Sequence, residues 1–274
     1  MAILEREDRG RVARLTLSAP ERLNALSDAM LAALAEAFIA LEGDREIRVV
    51  VLAGAGRAFC AGHDLSEMQA SRQAEDGGAG YFADLFDRCA AVMQAVPKLH
   101  QPVIAEVHGI ATAAGCQLVA SCDLAIAAEG TRFGVNGVNI GLFCSTPMVA
   151  LTRVVPRKPA FEMLLTGEFI DAVRARELGL INRVVPADRL RAETTELAEV
   201  VAGKLGAAVR IGKRLFYEQA EVGVEDAYRM AGRAMVENMM DTDTDEGLRA
   251  FLEKRQPGWA ERQAEPAGAS GGDI

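Results

Sequence analysis

The sequence has few aromatic residues, no long uninterrupted apolar run and no paired cysteine motif, and each shortage narrows the possible functions. Aromatic residues make up 5% of the 274 residues, so a core drawn from the 50% of apolar residues must consist mainly of Ala, Val, Leu and Ile. No apolar run reaches the roughly 18 residues that a membrane-spanning helix needs. The acidic N-terminus lacks the apolar centre of a signal peptide, so we expect a cytoplasmic protein without a membrane partner.

The cysteines and the charge balance exclude further classes. The five cysteines are odd in number, scattered and without Cys-x-x-Cys spacing, which is typical of reduced thiols and predicts no metal site. The net charge of -9 and the pI near 5.0 disfavour a nucleic-acid partner, because binding a phosphate backbone requires clustered positive charge. Local basic residues can still bind a small phosphorylated ligand.

A small-residue turn at 107–118 carries the clearest chemical signal. The apolar strand Pro102–Val107 leads into it, and a short helix is predicted to open at Ala113 to Gly115 and to end near Cys122. The first N–H groups of a helix have no partner within it and carry partial positive charge. We therefore predict that the turn binds an anion or a carbonyl oxygen gaining negative charge. The alternative is that the small residues only allow close packing of helix and strand.

A second small-residue turn, at 54–65, follows the buried strand Arg48–Ala53. The pair Gly54 and Gly56 is compatible with a dinucleotide-binding loop, but the third glycine of that fingerprint is missing and no helix begins on schedule. The better interpretation is a turn with free N–H groups near Gly62 and His63.

The order of patterns indicates an α/β core followed by an α-helical C-terminal part, because strands alternate with helices to about residue 130 and helices dominate afterwards. Ser27 is predicted to cap the first helix, Gly43 to end it, and Pro97 to end the helix before the central strand. Ala70–Gly80 is predicted to be a mobile loop and Thr131–Thr146 an active-site loop. Further strands are expected at Val12–Leu17 and Asp123–Ala128, and helices near Pro147, Lys158 and Asp171 and at Pro186–Lys204, Ala207–Gln219, Val224–Met240 and Asp245–Lys254.

Both turns resemble signatures of the crotonase, or enoyl-CoA hydratase/isomerase, family. Phe59–Leu65 is similar to the first signature and His108–Asp123 to the second. The likeness extends from residue 10 to about 255, and residues 113–123 and 138–147 are similar to one subgroup of the family. Shorter matching segments occur in the family's order at Asn24–Ser27, Leu165–Gly167, Leu178–Ile181 and Phe251–Arg255.

The resemblance implies a crotonase-like ββα spiral over residues 1–200, a C-terminal α-helical trimerisation region over 201–256 and a disordered tail over 257–274. It implies a homotrimer or a dimer of trimers that binds an acyl-CoA thioester, without a separate cofactor because CoA is part of the substrate. It also implies an oxyanion hole formed by the backbone N–H groups of His63 and Ala114. The CoA and pantetheine path would then be lined by Ala61, Asp64 and Leu65.

The chain departs from the family pattern at both positions where hydratases carry a catalytic glutamate. Gln117 stands at the first position and Gly137 at the second. A glutamine can orient water but has no useful pKa, and a glycine contributes no side chain. The loss of a positioned acid–base group typically reduces the rate by about 10² to 10⁴. The sequence therefore disfavours hydration by the family's usual route.

The 131–146 loop offers substitutes for these groups. Ser145 falls where some family members place a catalytic aspartate, and Asn136, Asn139 and Cys144 share its loop. The favoured alternative is that these side chains satisfy hydrogen bonds of the loop. Cys144 as a nucleophile would need a nearby base.

Five further polar residues have a less specific signal. Glu67 is one helical turn beyond His63 and either reaches the pocket mouth or is a solvated carboxylate. Lys213 and Arg255 are candidate phosphate contacts, with a solvated helix face as the favoured alternative. His100 and His108 flank a strand and are expected to be structural.

Three functions follow from these residues. The first is an enzyme of the enoyl-CoA hydratase/isomerase type that stabilises a thioester enolate without the usual glutamates. The second is an acyl-CoA decarboxylase or thioesterase, because decarboxylation of a malonyl-type CoA needs chiefly enolate stabilisation. The third is a non-catalytic acyl-CoA-binding protein, which the replacement of both glutamates favours.

Overall fold

A computed structural model describes residues 2–259 of the chain. The strands in this range form two sheets. They are β1 Leu4–Arg9, β2 Val12–Leu17, β3 Val49–Gly54, β4 Val103–Val107, β5 Ile110–Thr112, β6 Leu124–Ala128, β7 Arg132–Gly134, β8 Ile170–Asp171 and β9 Arg183–Val185.

The large sheet has six strands in the order β1-β2-β3-β4-β6-β9. The first pair is antiparallel and the other neighbours are parallel. The small sheet has the order β5-β7-β8 and lies beyond the end of β4. Because β3 and β4 are parallel neighbours, the chain leaves both at the same edge of the large sheet. The two small-residue turns begin at that edge.

Helices cover the sheets and make up most of the chain after residue 140. They are α1 Asp28–Gly43, α2 Leu65–Ser71, α3 Ala79–Lys98, α4 Ala114–Ser121, α5 Ser145–Val154, α6 Arg157–Thr166, α7 Ala172–Glu177, α8 Leu190–Ala202, α9 Gly206–Glu218, α10 Val224–Met239 and α11 Thr242–Leu252.

The large sheet is buried on both faces in its centre. One face packs into the main core with side chains of α1, α3 and α4, among them Leu34, Val92 and Leu118. On the other face, Val51 and Ile104 pack against Ala198 of α8. Burial on both faces explains why the strand around Val51 has a continuous apolar run rather than an alternating one.

Most sequence predictions of helices and strands are confirmed. The Ser27 hydroxyl accepts the Met30 N–H at 3.2 Å as the cap of α1, and Gly43 is the last residue of that helix. α3 extends one residue beyond the predicted end at Pro97, because a proline in the last turn removes only one intrahelical bond. The predicted 70–80 loop is shortened to 72–78, since its first two residues belong to α2 and its last two to α3.

Several short or polar strands were not predicted. β1 is an exposed edge strand whose Arg6 pairs with Asp8 and Asp44 at 2.8 Å, so it lacks the apolar alternation of a half-buried strand. β5, β7, β8 and β9 have only two or three residues each, too few for a recognisable period. Residues 260–274, most of the predicted disordered tail, lie outside the described part. Within residues 2–259, no helix is long and apolar enough to cross a membrane.

Candidate active site

The 54–65 turn and the 107–118 turn pack directly against each other, backbone to backbone. A Cβ atom on Gly115 would lie 2.2 Å from the Cys60 carbonyl oxygen. A Cβ on Gly109 would lie 2.0 Å from the Arg57 carbonyl oxygen. Cys60 also exchanges backbone hydrogen bonds with the 110–112 strand at 3.1 Å. The small residues therefore do allow close packing, as the alternative interpretation of the sequence proposed.

The same contact brings two peptide N–H groups together. Gly62 has φ +92°, and a Cβ on it would lie 3.3 Å from the Ala114 nitrogen and 2.9 Å from Ala113 Cβ. The His63 N–H belongs to the next peptide along the chain from Gly62. The Gly62–His63 peptide therefore lies beside the first residue of α4.

These two N–H groups are free, whereas those of their neighbours are bonded. The Ala61 N–H donates to the Leu23 carbonyl at 3.0 Å, and the Ala113 N–H donates to the Gly134 carbonyl at 2.9 Å. Within residues 2–259, neither the His63 N–H nor the Ala114 N–H donates to a protein acceptor. The turns thus satisfy the N–H groups of Ala61 and Ala113. They leave the N–H groups of His63 and Ala114 able to donate hydrogen bonds to the carbonyl oxygen of a ligand.

The backbone at Ala113 is in a conformation that non-glycine residues rarely adopt, with φ 49° and ψ -120°. Its N–H bonds to Gly134 and its carbonyl accepts the Gln117 N–H at 3.0 Å, so both sides of the residue are held. Such strain costs on the order of 1–3 kcal/mol and occurs most often at functional sites. Here it produces the sharp entry into α4 that leaves the Ala114 N–H at the helix start.

Asn24 braces the first turn, a role that the sequence analysis did not assign. The side chain is fully buried; its Oδ1 accepts the Ala19 N–H at 2.9 Å and its Nδ2 donates to the Ala55 and Ala58 carbonyls at 2.8 Å each. Three hydrogen bonds from one carboxamide fix the turn that precedes Gly62. The matching segment Asn24–Ser27 was the only signal for it in the sequence.

The His63 side chain packs between α3 and the segment before α1. Its ring packs edge-on against Phe86 with centroids 5.7 Å apart, and Nδ1 lies 3.4 Å from the Leu26 carbonyl oxygen. Burial lowers the pKa of the imidazole, which keeps the ring neutral at pH 7. The imidazole is therefore packed into the fold, although its Nε2 is buried without a hydrogen-bond partner within the described residues.

The other candidates in the first turn have mainly structural contacts. The Asp64 carboxylate caps α2 by accepting the Ser66 N–H at 2.9 Å, and it pairs with Arg22 at 2.6 Å. Burial opposes its ionisation, but these bonds outweigh burial and hold its pKa below the ordinary value. Leu65 is 53% exposed and Ala61 is partly buried, so both remain available to line a path at the surface.

Gln117 lies one helical turn after Ala114 and therefore on the same side of α4. It is 4% exposed, and its Oε1 is buried without a hydrogen-bond partner within the described residues. A buried polar atom without a partner typically costs about 1–3 kcal/mol. The Oε1 atom is thus a buried acceptor on the Ala114 side of α4 that the described residues leave without a partner.

Gly137, which the sequence analysis aligns with the second family glutamate, has no room for a side chain. A Cβ on Gly137 would lie 2.6 Å from the Leu142 carbonyl oxygen and 2.9 Å from Cys144 Sγ. The Gly137 N–H donates to that sulfur at 3.4 Å, and its carbonyl accepts the Leu142 N–H at 2.9 Å. The Leu142 carbonyl oxygen and Cys144 Sγ of the 131–146 loop therefore occupy the space that the first atom of a side chain at 137 would need.

Asn136 and Asn139 bond to segments outside the 131–146 loop, whereas Cys144 and Ser145 contact the loop itself, so the favoured alternative holds only in part. Asn136 Oδ1 accepts the Thr112 hydroxyl at 2.6 Å, and Asn139 Nδ2 donates to the Gly167 carbonyl at 3.1 Å. Burial raises the pKa of the Cys144 thiol, which disfavours the nucleophilic thiolate. The Ser145 hydroxyl is exposed and contacts only the Phe143 carbonyl, at 3.4 Å.

Both sequence interpretations of Lys213 are wrong. The side chain is neither a phosphate contact nor part of a solvated face: it is 8% exposed, and Nζ donates to Asp123 Oδ2 at 2.7 Å and to the Val96 and Gln101 carbonyls at 2.9 and 2.8 Å. Tyr217 donates to the other Asp123 oxygen at 2.7 Å. Asp123 thereby docks α9 onto the core, a network that the sequence analysis missed because the period of a helix does not identify its partner.

The structure also gives the contacts of three other polar residues from the sequence analysis, Glu67, Arg255 and His108. Glu67 is not a solvated carboxylate, since its Oε2 accepts the Asp28 N–H at 2.9 Å at the start of α1. Arg255 is exposed and pairs with Glu246 at 2.7 Å. His108 Nε2 lies 2.8 Å from the Gly56 carbonyl oxygen, a structural contact as expected. Within residues 2–259, no cluster of three or more His, Cys, Asp or Glu side chains could hold a metal ion.

The fold and the paired turns define a class of protein. The chain belongs to the enoyl-CoA hydratase/isomerase family, whose sequence model matches residues 7–262. Mitochondrial enoyl-CoA hydratase domain-containing protein 3 of Xenopus laevis is 44% identical over 248 residues, which cover 90% of this chain and 83% of that protein. The family and the α/β fold class predicted from the sequence are thus confirmed.

Solved structures agree with this assignment. A crystal structure of an enoyl-CoA hydratase from Mycobacterium smegmatis is 55% identical with a TM-score of 0.90, and the match covers 94% of this chain and 98% of that one. The crystal structure of human enoyl-CoA hydratase domain-containing protein 3 is 42% identical with a TM-score of 0.89, covering 94% of this chain and all of that one (100%).

Proposed function

We propose that the protein is an acyl-CoA enzyme that stabilises a thioester enolate between the His63 and Ala114 N–H groups. The observation that carries the proposal is that, among the described residues, neither N–H group donates to a protein acceptor, whereas those of Ala61 and Ala113 are bonded. Each donor to a developing oxyanion typically contributes about 3 kcal/mol of transition-state stabilisation. Ala61 and Leu65 line the path of the pantetheine arm, with Asp64 fixing the turn between them.

Gln117 is the polar side chain that we assign to the acyl chain. Its unpartnered Oε1 accepts a hydrogen bond from a substrate hydroxyl or from a water, but a carboxamide cannot take up or release a proton near pH 7. The chemistry that remains is therefore enolate stabilisation with little proton transfer by side chains. Ser145 at the loop surface is the one other hydroxyl that we keep as a candidate.

The closed position of Gly137 favours a second reaction within the same site. Decarboxylation of a malonyl-type CoA releases CO₂ and leaves the electron pair as an enolate, which needs the two donors but no glutamate at the second position. Thioester hydrolysis, and acyl-CoA binding without turnover, would use the same two donors. We assign Asn139 and Cys144 to the pocket wall, a role supported by the Asn139 bond to the Gly167 carbonyl and by the contact of Cys144 Sγ with the Gly137 N–H.

A homotrimer or a dimer of trimers, located in the cytoplasm, completes the proposal. Large apolar side chains are exposed along α10 and α11, such as Val224 at 75%, Tyr228 at 78% and Phe251 at 82%. Exposed apolar patches of this kind mark protein–protein contacts. Sedimentation of the full chain would show a species of three or six protomers, and a monomer at working concentration would contradict this part.

The function is tested by incubating the purified chain with a panel of acyl-CoA thioesters and identifying the products by mass spectrometry. The panel contains enoyl-CoAs of several lengths, malonyl-type CoAs and saturated acyl-CoAs. We expect turnover of one class that falls at least tenfold in Gln117→Ala. Ser145→Ala tests the other candidate hydroxyl, and a rate equal to the wild type would remove Ser145 from the site; Thr152→Ala, whose exposed hydroxyl bonds only the Met148 carbonyl among the described residues, is the matched control and should keep the rate. Binding without any turnover would leave only the non-catalytic function, and no binding would contradict the proposal.

A further inference from the structure

Residues 103–123 form a closed unit with the Ala114 N–H group near its middle. β4 leads into the 107–118 turn, α4 follows, and Asp123 lies two residues beyond the end of α4. The Asp123 N–H donates to the Val103 carbonyl at 3.0 Å, and the Val103 N–H donates to Asp123 Oδ2 at 2.6 Å. These two bonds tie the ends of the unit to each other, so the position of Asp123 fixes where α4 ends.

Helix α9 holds the base of this unit through two side chains one helical turn apart. Lys213 Nζ donates to Asp123 Oδ2 at 2.7 Å, and the Tyr217 hydroxyl donates to Asp123 Oδ1 at 2.7 Å. The other two protons of the ammonium group go to the Val96 and Gln101 carbonyls, at 2.9 and 2.8 Å. All three donors of Lys213 are therefore used. We call the set of Asp123, Lys213 and Tyr217 the Asp123 clamp.

The Asp123 clamp is polar and buried, which the docking of a helix does not by itself require. The Lys213 and Asp123 side chains are 6% and 13% exposed. Apolar side chains of similar volume often give equal or greater stability, because an ion pair must first be stripped of water. Hydrogen bonds have preferred directions and therefore hold one relative position of α9 and Asp123. This favours a role of the clamp in fixing geometry.

The strained backbone of the site lies at the opposite end of α4. Ala113 has φ 49° and comes immediately before the Ala114 N–H donor. A strained residue persists only where the surrounding structure holds it in place. The contact of Gly115 with the Cys60 carbonyl holds the start of α4, and the Asp123 clamp opposes relaxation by a shift of its end.

Helix α4 is short and enclosed enough to transmit such a shift. It has eight residues, which correspond to about 12 Å of helix. Ala114–Ala120 are all buried in the closely packed core, so α4 moves as one body. Helix α10 packs against α9, so the clamp also connects the C-terminal helical region to α4. A displacement of α9 would therefore reach the Ala114 N–H.

We propose that Lys213 and Tyr217 are positioning residues for the thioester. By fixing Asp123, they keep α4 and its Ala114 N–H in the position from which this group donates to the thioester oxygen. The inference rests on the function proposed above, since the donor has a ligand only if a thioester binds. It adds a support for the site that lies in the C-terminal helical region and acts through α4.

The test uses Tyr217→Phe, which keeps the ring and removes one bond of the Asp123 clamp. We expect the amides of α4 to exchange hydrogen at least threefold faster, measured by mass spectrometry on peptides from the full chain. The Kd for a ¹³C-carbonyl-labelled saturated acyl-CoA should rise at least threefold, and the carbonyl stretch of the bound thioester should lie closer to its value in water. Lys213→Met should change all three readouts further, because it leaves the buried Asp123 without its counter-charge.

Thr194→Val is the matched control, since it also removes the hydrogen bond of one hydroxyl. The buried Thr194 hydroxyl donates to the Leu190 carbonyl at 2.8 Å within α8, which packs on the other face of the large sheet from α4. This variant should leave all three readouts as in the wild type. If Lys213→Met does not fold, Tyr217→Phe decides the test alone.

Two results would overturn the positioning role and leave the proposed function intact. The first is a bound carbonyl with the same frequency in Tyr217→Phe as in the wild type, because a loss of α9 stability alone lowers the fraction bound without changing that frequency. The second is unchanged exchange in α4, which would mean that the clamp only docks α9. A wild type that binds no acyl-CoA would instead contradict the proposed function and, with it, the role of the clamp.

Discussion

The paired turns at 54–65 and 107–118 and the loop at 131–146 meet where β5 pairs with β7, but they offer different groups to a ligand. In the turns the required groups are backbone N–H groups, and the bonds of Asn24 and the strained Ala113 preserve their geometry. In the loop a group would have to come from a side chain, and a Cβ on Gly137, where the sequence analysis places a family glutamate, would lie 2.6 Å from the Leu142 carbonyl oxygen. A site that works through its backbone depends on the shape of the fold, whereas a carboxylate is removed by one substitution.

The largest expected effect comes from separating the two turns. Gly115→Val would place Cβ 2.2 Å from the Cys60 carbonyl oxygen, a backbone atom that cannot move alone. We expect the free energy of unfolding to fall by about 4 kcal/mol and acyl-CoA binding to be lost. Denaturant unfolding measures the free energy of unfolding, and titration calorimetry measures acyl-CoA binding. Gly212→Ala, at a position in α9 with open space around it, is the control and should be neutral or slightly stabilising.

Placing glutamates at positions 117 and 137, where the sequence analysis aligns the family glutamates, tests whether the 131–146 loop is closed. In Gln117→Glu, Gly137→Glu the second side chain collides with the Leu142 carbonyl and Cys144 Sγ, so we expect a loss of about 3 kcal/mol and no gain of crotonyl-CoA hydration. Gln117→Glu alone should keep the fold. A double variant that hydrates at least 10²-fold faster with unchanged stability would show that the loop is not closed.

Asn24→Ala should loosen the first turn without touching the ligand. Removing the carboxamide leaves the buried Ala55 and Ala58 carbonyls without their donor, which we expect to cost about 2 kcal/mol. Acyl-CoA affinity should fall with the stability, because the Gly62–His63 peptide follows this turn. Titration calorimetry measures the affinity. An acyl-CoA affinity equal to that of the wild type would show that the Asn24 hydrogen bonds do not support the proposed binding site.

The smallest change in the free energy of unfolding is expected from the His63 side chain, and this change depends on pH. Its folded-state pKa lies below the ordinary value of 6.5, so below that pH the unfolded chain binds a proton that the folded chain does not. Stability should therefore fall as the pH drops below about 6.5, by at most about 1.4 kcal/mol per pH unit. In His63→Gln this part of the slope should disappear while turnover at pH 7.5 changes less than twofold. A large loss of turnover would give the imidazole a catalytic role.

The sequence predicted what is local and missed what depends on distant partners. The free N–H groups at 63 and 114 follow from small residues after a strand and from the unpaired first turn of a helix, so both turns were predictable. That the His63 ring turns towards Phe86, that Lys213 is buried against Asp123, and that Leu142 and Cys144 close the space at Gly137 depend on tertiary contacts. No local pattern encodes such contacts.

The central claim, that one thioester oxygen accepts two backbone hydrogen bonds, is tested most directly by infrared spectroscopy of a bound saturated acyl-CoA labelled with ¹³C at the carbonyl. Two fixed donors should move the carbonyl stretch to lower frequency than in water. The shift should shrink in Gly62→Ala, where the new Cβ would lie 2.9 Å from Ala113 Cβ and displace the His63 N–H. A bound thioester whose carbonyl stretch matches that of free acyl-CoA in water would contradict the account.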